Sequence, residues 1–94
     1  MYELHLIPDD YGYKLANPNH LTRLPRWLFC DLIKFLKHNL PSRFKEELFK
    51  TQHGYVFVGD TDILTKLIND FEMAHIKVII DEPRKHSDTI YLIC

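Results

Sequence analysis

Glycine is scarce in this sequence, with three in 94 residues, and there is no tract rich in glycine and serine. Loops that cradle phosphate, of the G-x-G-x-x-G or P-loop kind, need closely spaced glycines so that the backbone can approach an anion. No such spacing occurs. Long apolar runs are missing too: the longest, Ile90–Cys94, has five residues, far short of the ~18–20 that cross a bilayer. The opening MYELHLIPDD has neither the basic start nor the apolar stretch of a secretory signal. Cysteine is limited to Cys30 and Cys94, 64 positions apart. With no signal segment, they read as two reduced thiols in a cytoplasmic protein.

Chemistry-bearing patterns are equally sparse. The six histidines (His5, His20, His38, His53, His75 and His86) form no H-x-H or H-x₃-H pair and lie at no ligand spacing from a cysteine. They read as surface or loop residues, and no metal or other cofactor is expected. There is no G-x-S-x-G. Cys30 falls between Arg26 and Lys34, which would favour a thiolate, but a lone helical cysteine is an ordinary packing residue. No catalytic residue is expected, and the motifs are too generic to attach the chain to a family.

What is present suffices for one core. Apolar residues make up 46% of the chain, aromatics 13% and charged residues 27%, as in a compact soluble domain. Residues 2–7 alternate as a half-buried strand, and 13–16 suggest a short return. Residues 25–38 place Leu24, Leu28, Phe29, Leu32, Ile33, Phe35 and Leu36 on one half of a helix, with Arg26, Trp27, Cys30, Asp31, Lys34, Lys37 and His38 on the other. Asn39-Leu40-Pro41 breaks it. Ser42 suits the cap of a second helix through Lys50 that would bury Phe44 and Leu48. Tyr55–Val58 reads as a strand buried on both faces. Residues 61–73 form an amphipathic helix capped by Asp60 or Thr61, and 76–80 and 89–94 complete the strands.

The order β(β)ααβαββ predicts a single α+β domain over 1–94. Its mixed sheet would carry helices mainly on one face. Strands 55–58 and 76–80 would run parallel through a right-handed crossover, and the last strand would lie antiparallel to 76–80.

The charges are sorted along the chain. Residues 23–50 hold seven basic side chains (Arg23, Arg26, Lys34, Lys37, Arg43, Lys45 and Lys50) against three acidic ones. Residues 55–82 hold six acidic ones (Asp60, Asp62, Asp70, Glu72, Asp81 and Glu82) against two basic, while the whole chain nets −1. Such a split bears on partners rather than on fold.

Trp27 is set among Arg26, Asp31 and Lys34 on the side of its helix that the core does not claim. Tryptophan and arginine are enriched at interface hot spots. The competing expectation is that the indole tucks under loop 8–20 against Tyr11 or Tyr13. On the acidic half, Asp62, Glu72, Asp81 and Glu82 would offer spaced negative charge to a basic groove, such as that of a nucleic-acid-binding protein.

The leading expectation is therefore a non-enzymatic protein-binding module. It would be an inhibitor, immunity factor or adaptor, a profile shared with accessory proteins of mobile elements. Its contacts would be Arg23, Arg26, Trp27, Lys34, Lys37, Asp62, Glu72, Asp81 and Glu82. No membrane is involved, and a homodimer through an open sheet edge is allowed. One alternative is direct nucleic-acid binding by the basic helices of 23–50. The other is a metal-dependent enzyme using Asp60, Asp62, Asp81 and Glu82, if parallel strands bring them to one sheet edge.

Overall fold

A computed structural model describes residues 2–18, 24–40, 46–52, 54–71, 75–81, 89–90 and 94. The elements are β1 (Tyr2–Pro8), β2 (Tyr13–Pro18), α1 (Arg26–Asn39), β3 (Glu47–Thr51), β4 (Gly54–Val58), α2 (Thr61–Asp70), β5 (Ile76–Ile80) and β6 (Thr89–Ile90). Five strands lie in the order β3-β4-β2-β1-β5, and the short β6 pairs with β2. Only β1 and β5 pair in parallel; the other ladders are antiparallel. The mixed-sheet α+β fold expected from the sequence is the fold observed.

The period of two along each strand sorts the side chains. Leu4, Leu6, Leu15, Tyr55, Phe57 and Ile76 face one way, into a single buried cluster. Both helices feed that same cluster, α1 through Leu28, Phe29, Leu32, Ile33 and Leu36, and α2 through Leu64 and Ile68. The helices therefore share one face of the sheet, as expected. The opposite face carries Glu3, His5, Lys14, Phe49, Val56 and Lys77, and no described helix covers it.

Helix α1 spans the residues expected, with Pro25 as its N-cap and no side-chain cap. Proline is tolerated there because the first helical N–H groups have no partner to lose. At α2 the Asp60 side chain accepts a hydrogen bond from the Asp62 backbone N–H at 2.8 Å, and Asp62 complements the dipole of the first turn. The helix ends at Asp70 rather than 73, and Phe71 turns back into the core.

Three expectations are corrected. Residues 47–50 are not helical: they form β3, which pairs antiparallel with β4 from Glu47–Val58 to Thr51–Gly54. The helical start expected at Ser42 lies outside the described residues. Leu48 pairs with Phe57 and packs on the core, while Phe49 points the other way. A buried neighbouring strand thus overrides the i, i+4 spacing of Phe44 and Leu48.

Next, β4 and β5 run in the same direction but are not neighbours, since β2 and β1 lie between them. Finally, the described part of the last strand, Thr89–Ile90, joins β2 rather than β5, while 91–93 lie outside the described residues. The β2 ladder with β4 stops at Leu15, which leaves Asn17 and Pro18 beyond it to receive Ile90 and Thr89.

Gly12 closes the β1–β2 turn, where its carbonyl accepts from the Asp9 N–H at 2.7 Å. A Cβ at Gly12 would collide with the backbone carbonyl of Phe57. Backbone cannot swing aside as a side chain can, so Gly12→Ala is expected to destabilise by about 1–3 kcal/mol. Urea unfolding followed by circular dichroism measures this, and an unchanged midpoint would refute the close approach.

Candidate functional site

The outward face of α1 is the candidate. Because the apolar stripe of this helix is fully committed to the sheet, the remaining arc must face solvent. Trp27 is 55% exposed, and Arg26, Asp31, Lys34, Lys37 and His38 are exposed with it. Trp27, Asp31, Lys34 and His38 stand four, three and four residues apart, so they form one line along the helix. The indole does not tuck under the β1–β2 turn, and Tyr11 is itself exposed. Lys37 is partly engaged, with Nζ 5.0 Å from the centroid of the buried Tyr55 ring, a cation–π contact. Arg23, Arg43 and Lys45 lie outside the described residues.

On the same helix, Cys30 forms a disulfide with Cys94, their Cα atoms 5.5 Å apart. This corrects the expectation of two free thiols. Cys94 packs against the core, and its carbonyl accepts from Lys50 Nζ at 2.9 Å. Cys94 is thereby tied to α1 on the core side of the sheet. The sequence alone could not show this, because 64 residues of separation say nothing of proximity until the sheet order is known.

The carboxylates do not gather. Asp60 and Asp62 follow β4, and Asp81 follows β5. Equal strand directions put all three toward one edge of the sheet, but three strand spacings intervene, about 14 Å at ~4.8 Å each. Asp60 is spent as the cap of α2, and Asp62 is exposed beside it. Among the described residues no three His, Cys, Asp or Glu side chains form a metal-binding set. Glu72 and Glu82 lie outside the described residues.

Asp81 has a different role from the one expected. It is 8% exposed; its carboxylate bonds His5 Nδ1 and its backbone N–H donates to the Leu6 carbonyl at 2.9 Å. Glu3 approaches the other ring nitrogen, Nε2, at 3.1 Å. His5 is therefore no surface histidine but a clamp between β1 and the end of β5. The two carboxylates sit at opposite ends of the ring, so the three groups cannot converge on one ion. Alternation along β1 could have signalled that His5 faces away from Leu4 and Leu6, but not that Asp81 would meet it.

No family model, no curated protein and no solved structure matches this chain.

Two outcomes test this geometry. Replacing both cysteines by serine, or reducing the disulfide, is expected to lower stability by about 2–4 kcal/mol, since the bridge restricts a long loop of the unfolded chain. Equilibrium unfolding with and without reductant reads the difference; equal midpoints would place the bridge outside the native fold. His5→Ala and Asp81→Ala should each cost about 1–3 kcal/mol. The double variant should fall short of the sum by at least about 0.5 kcal/mol, and strict additivity would show that the two groups do not act together.

Proposed function

We propose that this chain is a non-enzymatic protein-binding module, an inhibitor, immunity factor or adaptor, that docks through the outward face of α1. The observation that carries the reading is the exposed Trp27, held on a rigid helix among Arg26, Lys34 and Lys37. An indole offers a large contact area with little rotamer entropy to lose, and it costs free energy to leave in water unless something covers it. The partner that fits is a protein surface with an apolar pocket for the indole and acidic groups at its rim.

The basic face also supports a second reading, in which Trp27 stacks on a base and Arg26, Lys34 and Lys37 follow a phosphate backbone. The two readings differ in salt dependence. Phosphate contacts weaken steeply with salt, whereas an apolar anchor does not.

No described helix is long and apolar enough to cross a membrane. The pairing of Cys30 with Cys94 suits an oxidising compartment better than the cytoplasm. In a reducing cytoplasm the pair would rest as thiols.

The test is affinity capture from the native host with wild-type and Trp27→Ala baits, at low and moderate salt and with nuclease. The captured partner is then purified and titrated. Trp27→Ala is expected to weaken binding by at least about 2 kcal/mol, near thirtyfold, with little change in stability because the indole is outside the core. Undiminished affinity would remove α1 as the docking face. Capture lost to nuclease would decide for nucleic acid.

A further inference from the structure

We infer that the outer edge of β3 is a self-pairing surface, on which a second copy of this chain docks antiparallel about a two-fold axis through Leu48. Strand β3 ends the sheet, and among the described residues it pairs with β4 alone. An edge strand presents N–H and C=O groups at alternate residues to whatever strand lies alongside.

The side chains select the occupant. Glu46 directly precedes β3 and lies against Gly59, where an added Cβ would meet the Glu46 Cα and Cγ at 2.8 Å each. Leu48 and Lys50 share one face of the strand, and extending its period of two by one residue puts Glu46 on that face. Read antiparallel, Glu-x-Leu-x-Lys becomes Lys-x-Leu-x-Glu. A two-fold axis through Leu48 sets Glu46 of each copy opposite Lys50 of the other and Leu48 opposite itself. Moving the axis to Phe49 would set Leu48 against Lys50 and lose both charge pairs.

Lysine on an edge usually discourages pairing, but here its acidic complement lies four residues away on the same face. Lys50 is exposed, and its bond to the Cys94 carbonyl uses one of three ammonium donors.

The other face of the strand agrees. Phe49 is 44% exposed and walls a mainly apolar groove of about 440 Å³ with Asp9, Tyr11, Thr51, Val56 and Val58. In the Leu48-centred register Glu47 of each copy stands opposite Phe49 of the other, and the two Phe49 side chains are diagonal neighbours, about 7–8 Å apart and within reach of aromatic rings. The two sheets would become one of ten strands in the main path, with the groove of each copy meeting the other across the dyad.

Sedimentation equilibrium of the full chain over a range of concentrations tests this, with circular dichroism to verify each fold. The wild type is expected to dimerise reversibly. Glu46→Lys and Lys50→Glu should each raise the dissociation constant about tenfold or more, because each sets like charges opposite at two symmetric positions. Mixing the two variants sets unlike charges opposite at both positions, so a one-to-one heterodimer at near wild-type affinity is expected. A wild type that stays monomeric would overturn the inference, as would a dimer indifferent to these reversals or a mixture no tighter than its components. Trp27→Ala should leave the dimer intact, which separates this surface from the docking face of α1.

Discussion

The fold depends on burying the apolar stripe of α1 against Leu4, Leu6, Leu15 and Phe57. These residues come from three adjacent strands, so the helix can be covered only once β1, β2 and β4 are aligned, and their alignment is rewarded only when the helix covers them. At roughly 1.5–3 kcal/mol for each large apolar side chain taken from water, this mutual burial outweighs any single cap or ion pair in the chain. It also fixes which way everything else points. Once Leu28, Leu32 and Leu36 face the sheet, Trp27 and Lys34 have nowhere to go but outward, and Cys30 falls on the flank where Cys94 reaches it.

A core built on one side leaves the other face of the sheet to manage on its own. It does so locally. Val56, uncovered by any described helix, is only 4% exposed because its neighbours on β3 and in the β1–β2 turn wall it in. At the far edge, parallel ladders are slightly weaker per residue than antiparallel ones, and among the described residues β5 joins the sheet only through such a ladder. The Asp81 side chain on His5 and the Asp81 N–H on the Leu6 carbonyl extend that ladder past Ile80. A charged residue that sequence alone offers to a partner is thereby used to hold a strand.

Local rules made much of this legible. Periodicity placed both helices, both sides of α1, the strands at 2–7, 55–58 and 76–80, and the cap at Asp60. Each depends on side chains within one turn or one strand of each other. What escaped was whatever a distant partner decides. β3 reads as a helix because Phe44 and Leu48 have helical spacing, and only the presence of β4 turns Leu48 into a strand residue facing Phe57. β6 leaves β5 for β2 because β2 outruns β4. The disulfide and the His5–Asp81 clamp join residues 64 and 76 positions apart, so no window along the chain contains both members. At the candidate site, the exposure of Trp27 followed from the helix period. The loss of Asp81 as a docking charge did not, because it required the neighbour of β1 to be known.

The structure also changes the meaning of the charge split along the chain. A +4 segment beside a −4 segment suggests two opposed docking surfaces, yet the two halves differ in how much charge remains available. Asp60 is consumed by the start of α2 and Asp81 by His5, so the acidic half owes part of its charge to the fold. On α1, Arg26 and Lys34 are exposed beside Trp27, with only Asp31 opposing them; Lys37 is drawn partly onto Tyr55. Lys37 and His38 in the last turn suit the helix dipole and Lys37 also meets Tyr55, but Arg26 and Lys34 have no such local role in the fold. Polar residues of either sign would serve solubility there, and a smaller side chain would serve it better than tryptophan. Folding therefore accounts for the positive charge near the end of α1 but not for Trp27, Arg26 and Lys34. Under the docking proposal, the basic rim would steer an acidic surface into place and the indole would supply the short-range contact.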